Sequence, residues 1–181
     1  MKNTLIVNLF GEPGAGKSTA AAYIFSKLKM AGISADYVTE FAKDKVWENN
    51  EEVFKHQTYL FGKQHYKIAR VCGKVDVIIT DSPILLSAVY NTDPCLGEQF
   101  NDLVARVFKS YSNLNILLYR THPYEDNGRN ESETEARKVR EVLIATMKKY
   151  GITYDSCSSI IESYDILIES ILDYINDENT I

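Results

Sequence analysis

Eight residues near the start of the chain restrict its fold more than any others. They are Gly11-Glu12-Pro13-Gly14-Ala15-Gly16-Lys17-Ser18, spelling G-x-x-x-x-G-K-S. An apolar run, Leu5 to Phe10, leads in, and a helical pattern from Ser18 to Met30 leads out. A strand that turns into a helix through such a loop builds a concavity of backbone N–H groups, because glycine lets successive amides turn inward without Cβ clashes. The helix aims its positive dipole end at the same point. The stretch therefore reads as a phosphate-binding loop. Gly11, Gly14, Ala15, Gly16, Lys17, Ser18 and Thr19 are the candidate phosphate contacts, with Lys17 reaching the β- and γ-phosphates and the Ser18 hydroxyl available to magnesium.

The rest of the chain alternates strand and helix, which predicts an α/β fold with a parallel sheet covered on both faces. Strands are expected at Thr4 to Phe10, Ala35 to Thr39, Val75 to Thr80 and Asn115 to Tyr119, with a short fifth one within Ile152 to Ile161. The first helix should run from Lys17 to about Ala31 and stop at Gly32. Residues 41–48 read as a short helix or turn. A long helix is expected from a cap at Asn49 or Asn50 to Gly73, with Val53, Leu60, Phe61, Ile68 and Val71 as its apolar stripe. A helix of about two turns should open at Ser82 and Pro83. Leu96 to Tyr111 should place Phe100, Leu103, Val104, Val107 and Phe108 inward. Ser132-Glu133-Thr134-Glu135 is a capping box for a helix to Tyr150, and the last helix spans about Ser163 to Ile175. With 181 residues, no repeat and no linker, residues 1–181 are expected to form one domain.

Composition narrows the class of function. Twenty Lys and Arg against twenty-five Asp and Glu leave a formal charge of -5. That balance speaks against a general nucleic-acid binder, which needs a basic face. Cys72, Cys95 and Cys157 are odd in number and lack C-x-x-C spacing, so free thiols in a reducing compartment are expected. No apolar run is long enough to span a bilayer and the N-terminus lacks a signal-peptide pattern, so the expected location is the cytoplasm, or a host's cytoplasm if the chain is viral.

In an open parallel sheet, ligands sit outside the carboxyl ends of the strands. Four strands end there in chemically useful residues: the phosphate loop, Glu40, Asp81 and Arg120. Asp81 closes an apolar strand, where phosphate-loop proteins keep the carboxylate that organises magnesium; the same position also suits a helix N-cap. The residue after it is Ser82, not a glutamate able to activate water. No N-K-x-D guanine reader occurs either. Transfer to an organic acceptor fits this set better than hydrolysis. Glu40 is placed to deprotonate a hydroxyl acceptor or to hold the acceptor or magnesium, and also reads as a plain surface carboxylate. Gln57 and Gln64 fall inside an apolar stripe, with Phe61 beside them. They either line a pocket and read a ligand's polar edge, or bond neighbouring backbone or water. Residues 121–137, polar and containing Gly128, suit a lid whose arginines stabilise a transferring phosphoryl group. Arg129 is the first candidate, then Arg137, then Arg120, although Glu133–Arg137 and Arg137–Glu141 also form helical i,i+4 pairs.

These motifs, in this order, resemble the nucleoside and nucleotide kinase group. Val38-Thr39-Glu40-Phe41 is similar to the post-strand glutamate of deoxynucleoside and thymidylate kinases. Asp81-Ser82-Pro83 is similar to their D-R or E-R-S motif, except that serine stands where they carry arginine. Arg120-Thr121-His122-Pro123 and Gly128-Arg129-Asn130-Glu131-Ser132-Glu133 resemble their lid. The chain also resembles the small ATP-binding proteins grouped with the ribosylnicotinamide kinase domain, many of them encoded by bacteriophages. The resemblance implies a three-layer P-loop fold with strand order 2-3-1-4-5 and ATP and magnesium as cofactors. It further implies transfer of the γ-phosphate to a nucleoside or nucleoside monophosphate. Lys17, Glu40, Asp81, Arg129 and Arg137 would then be catalytic, and Glu40, Gln57, Phe61, Gln64 and Arg120 would meet the acceptor. Ribosylnicotinamide phosphorylation is the alternative within the class, and a non-catalytic ATP sensor is the rival outside it. Asp155 to Ser159 is placed near the nucleotide base by position alone. A homodimer is left open.

Overall fold

The computed structural model describes residues 3–48, 51–124 and 132–178. Five parallel strands form its sheet: β1 (Leu5–Phe10), β2 (Ala35–Val38), β3 (Val77–Thr80), β4 (Ser112–Tyr119) and β5 (Asp155–Ser158), in the order β2-β3-β1-β4-β5. The helices are α1 (Lys17–Met30), α2 (Phe41–Trp47), α3 (Gln57–Ala69), α4 (Leu86–Val89), α5 (Gly97–Lys109), α6 (Glu133–Lys149) and α7 (Ile161–Glu178). A 3-10 turn, Glu51–Lys55, precedes α3. The fold class agrees with the expectation from the alternating strands and helices, and the strand order with that implied by the resemblance.

Side-chain alternation along the strands divides the core in two. Leu5, Val7 and Leu9 of β1, with Val77, Ile79, Ile116 and Leu118, pack beneath Ala20, Ile24 and Leu28 of α1 and Ile171 and Ile175 of α7. Ile6, Phe10, Ile78 and Leu117 face the other way. They meet Ile68 of α3, Ala88 of α4, Phe100, Val104 and Phe108 of α5, and Leu143 and Met147 of α6. β1 and β3 are buried on both faces, which explains their unbroken apolar runs.

Several elements depart from the sequence expectation. The long helix is interrupted at His56, so the 3-10 turn and α3 are separate, and α3 ends at Ala69 before Gly73 is reached. Asn49 and Asn50, its expected caps, lie outside the described residues. The helix expected at Pro83 is reduced to α4, preceded by tight turns from Leu86 N–H to Pro83 and from Ser87 N–H to Ile84. Leu103, expected inward, is half exposed, since Phe100, Val104 and Phe108 already fill that face of α5.

β4 starts three residues earlier than expected, at Ser112 instead of Asn115. Asn8, 1 % exposed, donates to Asn113 Oδ1 at 2.9 Å and to Asn115 Oδ1 at 3.2 Å. The Asn113 and Asn115 amides donate in turn to carbonyls of Phe108, Tyr111 and Thr153. Paired in this way, the asparagines carry the strand where apolar periodicity fails. Cys72, Cys95 and Cys157 are free thiols. Among the described residues no helix is long and apolar enough to cross a membrane.

Candidate active site

β1 lies between β3 and β4, so the loop after it is flanked by the carboxyl ends of both neighbours. Gly14 and Gly16 adopt left-handed φ of 84° and 85°, and Gly16 caps α1. This geometry turns the loop amides around the helix N-terminus. Lys17 arches back over the loop, and its ammonium donates to the carbonyls of Gly11 at 3.0 Å and Glu12 at 3.1 Å. Ala15 is fully buried, Ser18 is half-buried and Thr19 exposed at the start of α1.

Asp81 lies one residue past β3 and is 3 % exposed. Its Oδ1 accepts from the Glu40 N–H at 3.1 Å, and its Oδ2 accepts from the Tyr37 hydroxyl at 2.7 Å. The carboxylate therefore does not cap α4; it ties together the ends of β2 and β3. The backbone bond brings Glu40 beside Asp81. Burial, followed by the bond to Asp81, pushes the Tyr37 phenol well above its ordinary value.

Tyr37 was missed by sequence reasoning. β2 and β3 pair with Tyr37 opposite Ile79, and in a parallel ladder this puts Tyr37 on the face of Asp81, two residues on.

Gln57 and Gln64 are both buried, as the stripe required. Their amides meet backbone. Gln57 donates to Phe54 O at 3.0 Å; Gln64 accepts from Phe41 N–H at 3.1 Å and donates to Thr39 O at 3.4 Å. Lys67 also bonds Thr39, at 2.6 Å to its carbonyl. Gln64 and Lys67 thus hold the segment carrying Glu40. The Phe61 ring stacks on His65 at 5.7 Å and meets Phe100 edge-on at 5.9 Å, so it is engaged on the α5 side.

Arg120 ends β4 beside the phosphate loop, its side chain 12 % exposed. Its Nε lies 3.5 Å from Glu12 Oε1, and its Nη2 lies 2.6 Å from Glu133 Oε1. Among the described residues its Nη1 is buried with no hydrogen-bond partner. Arg137 reaches the same Glu133 oxygen at 3.3 Å but is 69 % exposed. Arg120 first, then Arg137, holds the Glu133 carboxyl below its usual range. The capping box is formed, with Ser132 N–H on Glu135 Oε2 at 2.8 Å. A charge chain therefore runs from the loop through Arg120 to the first turn of α6. Glu12 was passed over as an unspecified position of the motif, although a carboxylate in an anion site needs a cation beside it. Arg129 and the residues around it lie outside the described residues.

β5 also reaches the loop. Ser159 Oγ donates to Ala15 O, its N–H donates to Tyr119 O at 3.0 Å, and its carbonyl accepts from Thr121 Oγ1 at 3.0 Å. The donor chemistry suits a magnesium–nucleotide: one hydroxyl and one carboxylate near a nest of amides. Among the described residues no group of three His, Cys, Asp or Glu side chains is placed as a metal cage. Magnesium bound with phosphates takes few protein ligands and keeps several waters.

A protein-family model described as an AAA domain matches residues 6–160. The chain belongs to this family. Among curated proteins none matches by sequence. Solved structures share the fold of this AAA-family chain. NadR in complex with NR aligns with a TM-score of 0.74 at 16% identity, over 96% of this chain and 52% of that one. The chain therefore spans about half the length of NadR. Deoxyadenosine kinase from M. mycoides aligns at 0.59, with 19% identity, over 95% of this chain and 99% of that one. Thymidylate kinase from Ehrlichia chaffeensis aligns at 0.58, with 14% identity, over 96% and 99%. Nucleoside and nucleotide kinases are thus among its structural neighbours, and the P-loop fold is shared with them.

Proposed function

We propose that the protein is a small-molecule kinase that moves the γ-phosphate of ATP to a hydroxyl or phosphate of a nucleoside or nucleoside monophosphate. The observation that carries this reading is the pairing of Asp81 with the Glu40 backbone beside the phosphate loop, with Ser82 next in the chain. Two acidic residues then stand at neighbouring strand ends, one suited to the metal and one to an acceptor, while the position that would activate water is a serine.

The roles follow from phosphoryl-transfer chemistry, which is chiefly positioning and charge stabilisation. Gly11 to Thr19 hold the phosphates, and Lys17 leaves its loop carbonyls for the β- and γ-oxygens. Ser18 and Asp81 would hold magnesium, which supplies charge neutralisation between those phosphates. For a hydroxyl acceptor, its oxygen bonds to the γ-phosphorus, the bond from that phosphorus to the bridging oxygen breaks, and ADP leaves; Glu40 takes the hydroxyl proton. Arg120, whose Nη1 is buried without a hydrogen-bond partner among the described residues, pairs with Glu12 of the loop. Arg137 and Arg129 are its companions from the lid, residues 121–137. Gln64 serves by holding Thr39 and Phe41 on either side of Glu40, and Gln57 and Phe61 line the acceptor side.

Ribosylnicotinamide as acceptor is the second reading, favoured by the NR-bound NadR among the structural neighbours. Glu40→Gln separates a kinase from a nucleotide sensor. In a kinase, transfer from ATP drops by two to four orders of magnitude while nucleotide binding is kept. If transfer is undiminished, Glu40 is not the acceptor's base.

A further inference from the structure

Asp81 is a buried carboxylate whose two oxygens are held by two donors from the β2 side. One donor, the Glu40 N–H, is backbone and cannot be selected by side-chain identity. The other is the Tyr37 hydroxyl, which donates to Asp81 Oδ2 at 2.7 Å. Tyr37 thus touches the carboxylate expected to face the metal. Its ring is fixed by the register of β2 on β3 and by Phe25 of α1, with ring centroids 6.3 Å apart.

We propose that Tyr37 is a positioning residue of the nucleotide site, holding Asp81 in the orientation that receives nucleotide-bound magnesium. The proposal rests on the reading of Gly11 to Thr19 as a magnesium–nucleotide site, and not on the identity of the acceptor. Magnesium demands near-ideal octahedral geometry, so a carboxylate that reaches it directly or through water must be held in one rotamer. Partners that orient such ligands typically set metal affinity by tenfold or more. A phenol suits the task because it is a neutral donor. It orients the carboxylate without adding a second full charge beside magnesium.

The test is a fluorescence titration of the full chain with N-methylanthraniloyl-ADP, once with increasing magnesium and once in EDTA. Tyr37→Phe keeps the ring and removes only the hydroxyl. The magnesium concentration for half-maximal binding should rise about tenfold, with affinity in EDTA unchanged within about twofold. In an Asp81→Asn background, adding Tyr37→Phe should produce no further change. That second comparison is read from magnesium dependence and stands even if the single variant proves unstable. An unchanged magnesium requirement, or an equal loss with and without magnesium, overturns the proposal. Wild-type protein that binds no nucleotide overturns the site reading beneath it, and wild-type binding without magnesium dependence overturns the proposal alone.

Discussion

Removing Arg120 should expose how much the phosphate loop depends on a cation from β4. Glu12 and Arg120 keep only 8% and 12% of their side-chain surface exposed, and lie 3.5 Å apart. At an effective dielectric of about 20 their direct attraction is about 5 kcal/mol, most of which offsets the cost of taking both charges out of water. Truncating one partner leaves the other buried and alone, at a typical cost of about 3–5 kcal/mol. The pair lies at the carboxyl ends of β1 and β4, and Arg120 also meets the exposed Glu133, so Arg120→Met should cost near the lower end, about 3 kcal/mol. In a chain of this size that is a fall of about 6–12 °C in melting temperature. Glu12→Gln removes the stranded charge, so the double variant should be more stable than the two single losses predict, by about 1–3 kcal/mol. Urea unfolding followed by circular dichroism measures all four proteins. A cost below about 1 kcal/mol for Arg120→Met, or single costs that add within about 0.5 kcal/mol, would refute the reasoning.

Three further outcomes follow from the geometry. Gly11 has φ of 152°, and an added Cβ would stand 2.9 Å from Ala15 Cβ and 3.2 Å from Leu118 O. Gly11→Ala should therefore destabilise by about 1–3 kcal/mol and weaken nucleotide binding, seen by thermal unfolding with and without ATP. Asn8→Leu leaves the Asn113 and Asn115 carbonyls without their donor and should cost about 1–3 kcal/mol in urea unfolding; a cost under about 0.5 kcal/mol would show that the asparagine cluster does not hold β1 to β4. His65 lies 2.8 Å from the Tyr111 hydroxyl through Nε2, and burial pushes its pKa down. Its contribution is constant above the unfolded value near about 6.5 and is lost as pH falls through the lower folded value. The urea midpoint should drop from pH 7.5 to pH 5, and His65→Gln should reduce that drop.

Much of the fold was legible because its signals are local. The phosphate loop, the apolar runs of β1 and β3, and the Ser132 capping box each declare themselves within a few residues. β4 extends beyond the expected Asn115 to Tyr119, a start hidden because Ser112 and Asn113 are polar, and Asn113 fits a strand only once Asn8 bonds it. The site was legible to the extent that it lies at strand ends, where Glu40, Asp81 and Arg120 each follow an apolar run. Tyr37 was hidden by register. Matching Val38-Thr39-Glu40 to Ile79-Thr80-Asp81 by their final threonine and acid sets Val38 opposite Ile79. The ladder pairs Val38 with Thr80 instead. A one-residue slip exchanges the faces of a strand, so the residue sharing the Asp81 face is Tyr37. Gln57 and Gln64 were visible as polar residues in an apolar stripe, but periodicity carries no information on what their amides bond. Arg120 was seen as one of several basic residues near the lid. Its contact with Glu12 depends on β4 lying next to β1, a long-range fact that no local pattern contains.

The central claim is that this site delivers a phosphoryl group to an organic acceptor and not to water. Incubation with γ-labelled ATP and magnesium, against ribo- and deoxynucleosides, their monophosphates and nicotinamide riboside, measures it directly when labelled products are resolved. The account predicts that one acceptor class takes up the label, and that free labelled phosphate stays a minor product. Label appearing only as free phosphate, at a rate no acceptor changes, would contradict it.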